Sequence, residues 1–128
     1  NAEITCVLNN DTAANYAYHI ITQFAVGSPS AGNATSQNAT YCFLSASGAE
    51  ASGSFAAGTI DFLDYTSTNK TKVYRTLTGG DFNGSGSLYF TSGLWYKTPI
   101  EALTSIKLTD LNGYSFSQYS KFSLYGGK

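Results

Sequence analysis

The sequence predicts an all-β fold, built as one antiparallel β-sandwich domain of jelly-roll type over residues 1–128. Three observations lead to this prediction. Short runs of alternating apolar and polar residues recur along the chain, with turn-forming residues between them. Residue types that favour half-buried pleated surfaces are abundant, including ten Tyr and eight Phe. No segment carries the i, i+3, i+4, i+7 apolar pattern of a capped helix.

Eight strands are expected, which suggests two packed sheets. They are Ile4–Leu8, Tyr18–Val26, Tyr41–Leu44, Thr59–Asp64, Thr71–Leu77, Ser87–Trp95, Ser105–Thr109 and Phe122–Tyr125. The segments rich in Ser, Gly, Ala and Asn are interpreted as loops, namely Gly27–Asn38, Ser45–Ser54 and the hairpin loop Gly79–Gly86. Alternation along the strands predicts six core side chains: Ile60, Phe62, Ile106, Leu108, Phe122 and Leu124.

Composition argues against two classes of partner. Charged residues make up 12% of the chain, and the net charge is −1 with the seven basic residues scattered. Nucleic-acid binding requires a clustered basic surface, so it is not expected. The chain has neither an apolar run of membrane-spanning length nor a basic amphipathic helix, so membrane insertion is not expected either.

No motif for catalysis or zinc binding is apparent. The one histidine, His19, lies inside a predicted strand without a nucleophile motif nearby. His19, Cys6 and Cys42 do not have the spacing of zinc ligands. The two cysteines could form a disulfide or could be separate buried apolar residues, and the sequence leaves both alternatives open. We expect neither enzyme activity nor a cofactor.

The acidic residues do not identify a site either. Asp61 and Asp64 are too close in sequence to face each other across a glycosidase cleft, and Asp61 is expected to face a Lys or Arg on a neighbouring strand. The segments Asn9-Asn10-Asp11 and Asp81-x-Asn83-Gly84 carry oxygen ligands that calcium uses, but neither completes a calcium-binding loop. We interpret both segments as turns.

The candidate contact residues are aromatic. Tyr89, Trp95 and Tyr96 are near one another in the sequence, and their rings could stack on a sugar or contact a partner. The alternative is that they belong to the core or its rim. A weakly charged surface of Tyr, Ser, Gly and Asn is also typical of adaptable protein-binding surfaces.

Four sequence blocks resemble a family of small structural proteins of tailed bacteriophages. The blocks are Leu8–Thr12 with Asn15–His19, Ile60–Lys72, Ser92–Trp95 with Leu103–Ile106, and Phe116–Gly126. They are similar to F-N-G-D-T with N-Y-x-x-H, I-D-x-L-D-Y-x-x-T-N-K-x-K, S-G-L-W with A-I-T-S-I, and F-x-Q-Y-S-x-F-x-L-Y-G. The blocks follow one another in the same order over nearly the whole chain.

The resemblance implies a non-enzymatic structural protein on the outer surface of the virion, either as a capsid decoration or in a tail fibre or receptor-binding structure. It implies packing against copies of itself, for which we favour a trimer. Other virion proteins and a host cell-surface glycan are further expected partners. An alternative from a different class is a carbohydrate-binding module or adhesin domain of a secreted protein.

The resemblance also implies that relatives carry N-terminal strands before the position of Ile4. The chain contains no methionine and starts inside an apparent strand. We therefore expect Ile4–Leu8 to lie at an uncovered sheet edge, to be covered by another chain or by residues outside this sequence. We also expect outward-facing Tyr and Phe side chains to cluster on one side of the domain.

Overall fold

The computed structural model describes residues 2–24, 27–45, 53–81 and 85–127, and these ranges contain strands but no helix. The strands are β1 Ala2–Leu8, β2 Tyr16–Phe24, β3 Ser30–Gln37, β4 Thr40–Ser45, β5 Ala57–Phe62, β6 Lys72–Asp81, β7 Gly86–Trp95 and β8 Ile106–Asp110. The predicted all-β class is confirmed. Most of the predicted loop Ser45–Ser54 lies outside the described residues.

Two antiparallel sheets form the described part of the fold. The larger sheet has the order β3-β2-β7-β6-β5, and the smaller has the order β4-β1-β8. Buried residues between them include Cys6 and Leu8 of β1, Tyr16 of β2 and Trp95 of β7. These pairings establish the β-sandwich, whereas the jelly-roll detail stays a prediction.

The edge strand β3 corrects the sequence interpretation. Residues 27–38 were expected to form a loop, but Ser30–Gln37 pairs with β2, with Ala31 opposite Ile21 and Asn33 opposite His19. Nearly every side chain of β3 is exposed. A strand with solvent on both faces needs no apolar alternation, which explains why its Ser, Gly and Asn residues resemble a loop.

The C-terminal segment is the second correction. Phe122–Tyr125 is not a strand, and Phe122 and Leu124, both predicted in the core, are 53% and 87% exposed. Alternation buries a segment only where a neighbouring strand completes its hydrogen bonds, and no described strand pairs with this one. Every residue from 111 to 127 is exposed, and we call this segment the C-terminal arm.

The remaining predicted core residues lie where expected. Ile60, Phe62, Ile106 and Leu108 are half-buried and pack against the buried cluster of β1, β2 and β7. The strands that carry these residues, β5 and β8, come from separate predicted runs. Alternation is therefore a reliable guide where a paired strand has one buried face.

The expected uncovered edge is not at β1. This strand lies in the centre of the smaller sheet, with β4 paired on one side and β8 on the other. Its residues Ile4 and Leu8 are buried. The expectation that Ile4–Leu8 needs cover from a partner is therefore wrong, because β8, distant in the sequence, supplies the second neighbour.

Cys6 is buried on β1, opposite Leu108 of β8. Ile4 pairs with Phe43 and Thr5 with Tyr41, which places the backbone of Cys42 at a β-bulge. The Cys42 side chain lies outside the described set, so the two alternatives for the cysteines stay open.

Candidate functional site

The three predicted contact residues do not form one surface cluster. Tyr89 and Trp95 are 5% and 3% exposed, and both point inward from β7. Their six-residue separation corresponds to roughly 20 Å along a strand. Tyr96 follows β7, is half-buried and donates a hydrogen bond from its hydroxyl to the Ala14 carbonyl at 2.9 Å. Contact of these residues with a sugar or a partner stays a prediction.

Trp95 belongs to a buried polar corner formed with the loop between β1 and β2. Its ring stacks on Tyr16, with centroids 6.4 Å apart, and its Nε1 donates to Asp11 Oδ2 at 2.7 Å. Asp11 Oδ2 also accepts from Asn15 Nδ2 at 2.9 Å, and Oδ1 accepts from the Ala13 amide at 3.0 Å. Burial by itself would raise the pKa of Asp11, but these hydrogen bonds outweigh it and lower the pKa below its ordinary value. The carboxylate is thus engaged in holding the corner together.

Asn9 forms the second half of this corner. Its backbone is left-handed, with φ of 49°, as expected for the predicted turn. Its Nδ2 donates to Glu101 Oε1 at 2.9 Å, and its Oδ1 accepts from the amides of Thr104 at 2.8 Å and Ser105 at 3.0 Å. The hydrogen bonds from Asn9 and from Lys97 lower the pKa of Glu101. The turn interpretation of residues 9–11 is therefore confirmed.

Three of the four resemblance blocks meet at this corner. The first supplies Asp11, and the third supplies Trp95 and Leu103. The second supplies Tyr65, whose carbonyl accepts a hydrogen bond from the Leu103 amide at 2.7 Å. The three blocks are joined by side-chain and backbone hydrogen bonds, which is the pattern of a structural junction.

Tyr16 connects this corner to β1. Its hydroxyl donates to the Asp11 carbonyl at 2.8 Å and accepts from the Leu8 amide at 3.0 Å. Burial raises the pKa of Tyr16 to about 12. Burial, and secondly the nearby Glu3 carboxylate, also raises the pKa of Tyr18 and Tyr89.

These raised pKa values predict alkaline destabilisation. Because the folded-state pKa of Tyr16 exceeds the unfolded value of about 10, its contribution is fully present below pH 10 and is lost as the pH rises toward 12. The loss from Tyr16 alone should be about 2–3 kcal/mol in the free energy of unfolding. Urea unfolding, followed by circular dichroism from pH 8 to pH 12, measures it.

Tyr16→Phe should give a flatter pH dependence in that window. It should also lower stability at pH 8 by about 1–3 kcal/mol, because the Leu8 amide loses its buried acceptor. Tyr65→Phe is the matched control, since Tyr65 is exposed and lies outside the C-terminal arm. Identical slopes for Tyr16→Phe and the unsubstituted protein would contradict the assignment.

Polar side chains elsewhere in the described residues bond to neighbouring protein groups. Asp61 lies opposite Arg75 across β5 and β6, with 3.9 Å between Oδ2 and the guanidinium Nη2, as predicted. Both side chains are more than half exposed, so the pair contributes little stability. Lys72 is buried, and its Nζ donates to the Ser67 and Lys70 carbonyls at 2.6 and 2.8 Å.

The described ranges contain no cluster of three or more His, Cys, Asp or Glu side chains arranged to hold a metal ion. Within the same ranges, no helix has the length and apolarity to cross a membrane. Asn83 and Gly84 of the second predicted turn lie outside the described residues. The strands on either side of that turn do form a hairpin, with Asp81 opposite Gly86.

The feature that sequence reasoning missed is the solvent side of the larger sheet, which we call the outer face. It carries large apolar side chains from three adjacent strands: Ile21 of β2, Leu88 and Phe90 of β7, and Val73 and Leu77 of β6. Each is between 37% and 55% exposed. Ile21, Phe90 and Leu77 lie directly opposite one another in a single row across the sheet.

The inner side of the same strands carries buried threonines beside buried aromatic side chains such as Tyr74 and Tyr89. Thr76, Thr78 and Thr91 are buried there, and their hydroxyls have no hydrogen-bond partner among the described residues. Each such hydroxyl costs about 1–3 kcal/mol. The larger sheet therefore leaves aliphatic side chains in solvent and buries three threonine hydroxyls without a described partner, which is unfavourable for a chain that stays alone.

The C-terminal arm is the second exposed apolar feature. It carries five of the nine exposed large aromatic side chains in the described chain. The expectation that outward Tyr and Phe cluster on one side of the domain stays a prediction. Phe116 and Phe122 pack edge to face, with centroids 4.9 Å apart, around a turn in which the Ser120 amide bonds the Ser117 carbonyl at 3.1 Å. The arm is thus locally ordered but largely exposed.

Comparison of the chain with family models, curated proteins and solved structures finds no match in any of the three. The fold is accordingly defined by its own strand pairings. The function has to be inferred from the corner, the outer face and the C-terminal arm.

Proposed function

We propose that this chain is a non-enzymatic structural subunit on the outer surface of a tailed-bacteriophage virion, where it packs against copies of itself and other virion proteins. The observation that carries the proposal is the apolar outer face of the larger sheet. Large apolar side chains such as Phe90 and Leu77 are exposed there, directly opposite each other on adjacent strands. A contiguous apolar patch of this kind is typical of a subunit interface.

The resemblance of the four sequence blocks supports the phage context, and the corner supports a structural role. Asp11 and Glu101, the acidic residues of the corner, are both occupied by hydrogen bonds from neighbouring side chains. A rigid junction beside an apolar sheet suits a subunit that must hold its shape under load. Capsid decoration and a tail-fibre or receptor-binding role are both compatible with these features.

Immunogold electron microscopy tests this function. Antibody raised against the chain should label intact phage particles at regular positions, on the capsid or on the tail, and should detect the chain in blots of purified particles. Particles that lack the chain in both measurements would contradict the proposal. A glycan array tests the secreted-module alternative, since specific binding by the isolated chain, together with unlabelled particles, would favour that alternative.

A further inference from the structure

We infer that the C-terminal arm of one copy binds the outer face of a second copy of this chain. The inference rests on the proposed function, because it names the partner that covers the outer face. It joins the two exposed apolar features of the molecule in a single contact.

Every residue of the arm is exposed. The arm leaves the smaller sheet at the end of β8, where the Leu111 amide donates to the Glu3 carbonyl at 2.7 Å. The outer face lies on the opposite layer, on the side of the larger sheet that points away from the smaller one. The large apolar side chains of the arm are therefore accessible to a second copy.

The area available matches what a stable contact requires. The arm carries Leu124 and five aromatic side chains that are between 40% and 88% exposed. Since a fully buried aromatic side chain covers roughly 150–250 Å², the arm can bury on the order of 600 Å² and the outer face a similar area. The total, on the order of 1,200 Å², reaches the lower end of the range for specific interfaces.

The polar groups lie where an interface places them. His19, Ser92 and Arg75 form the row directly beside the apolar row of Ile21, Phe90 and Leu77. An apolar centre with polar groups next to it is the usual anatomy of a protein interface. The hydroxyls of Tyr119 and Tyr125 on the arm suit such a border, because tyrosine combines an apolar ring with a polar end.

The contact joins two different surfaces, so it is heterologous. Each copy offers one arm and one outer face, and such contacts close into a ring or continue as a filament. A ring of three copies is the closed form that agrees with the predicted trimer.

Two sets of substitutions in the full chain test the inference. The first set places charges on the apolar outer face, and it consists of Leu77→Lys with Leu88→Lys. The second set removes the large side chains of the arm, and it consists of Tyr119→Ser, Leu124→Ser and Tyr125→Ser. All five side chains are more than half exposed, so the domain should fold normally. Thr66→Lys with Thr68→Lys, on the exposed turn after β5, is the charge-matched control.

Analytical ultracentrifugation should show that the unsubstituted chain and the control associate. Each of the two variants should be monomeric, with association weakened by roughly 30-fold or more, as for loss of an interface hot spot. An equimolar mixture of the two variants should form a heterodimer, because one still carries an intact arm and the other an intact outer face. Circular dichroism spectra should be the same for all proteins.

Three outcomes would overturn the inference: a full chain that is monomeric at high concentration, an arm variant that still associates, or a mixture that stays monomeric. The proposed function is tested separately by particle labelling. If particles are labelled but the chain is monomeric, the arm contact is ruled out and the proposed function stands. If the chain associates through the arm and the outer face but particles are unlabelled, the proposed function is ruled out and the arm contact stands.

Discussion

Trp95→Ala should lower the free energy of unfolding by about 3–5 kcal/mol, the usual range for removing a buried tryptophan. The indole is 3% exposed, and it fills the space against Tyr16. Its loss leaves a cavity and also removes the Nε1 donor, 2.7 Å from Asp11 Oδ2, from a buried carboxylate. Chemical unfolding followed by circular dichroism measures the change.

Two further variants separate the causes. Trp95→Phe keeps an aromatic ring but lacks the donor, so it should cost about 1–3 kcal/mol. Tyr96→Phe removes only a hydroxyl near the surface, and its cost should stay below about 1 kcal/mol. If Trp95→Ala left stability unchanged, the corner would not be a structural junction.

Gly93→Ala should be the second strongly destabilising change, at about 3 kcal/mol, the upper part of the range for overpacking. Gly93 lies on β7 directly opposite Tyr74 of β6 and faces the core. A methyl group at Gly93 would overlap the Tyr74 ring, which is fully buried and has no space to move away. The side chain of Tyr74 thus takes the place that a Cβ at position 93 would occupy.

A double-mutant cycle tests this explanation. In a Tyr74→Ala background the overlap is gone, so Gly93→Ala should become neutral or slightly stabilising, because alanine loses less backbone entropy than glycine. Gly32→Ala on β3 is the control, since a methyl group there meets only Ile20 Cγ2 at an ordinary 3.6 Å. An equal cost for Gly93→Ala in both backgrounds would show that the ring is not the cause.

Much of the fold could be predicted because paired strands with one buried face alternate. Ile60 and Phe62 on β5, and Ile106 and Leu108 on β8, follow that rule. The rule fails for β3, whose two exposed faces remove the alternation. The rule also fails at Phe122 and Leu124. Alternation there predicts burial, but no described strand pairs with this segment and both side chains are exposed.

The candidate site was harder to predict, for a geometric reason. The three residues Tyr89, Trp95 and Tyr96 are close in sequence. In an extended strand, however, positions 89 and 95 lie far apart along the strand, and the adjacent side chains 95 and 96 point to different sides. The residues that do meet Trp95 are distant in sequence, and Asp11 is 84 positions away. The outer face could not be predicted, because alternation along a strand shows two faces but not which of them another sheet covers.

The position of Trp95 has a practical consequence. It is the only tryptophan of the chain, so all indole emission comes from one point beside a buried carboxylate. Opening of the corner exposes that point to water and shifts its fluorescence to longer wavelength. Resonance energy transfer from the ten tyrosines also ends on this ring, and it weakens as the chain expands and the distances grow. The molecule therefore carries a single built-in optical probe of its own junction.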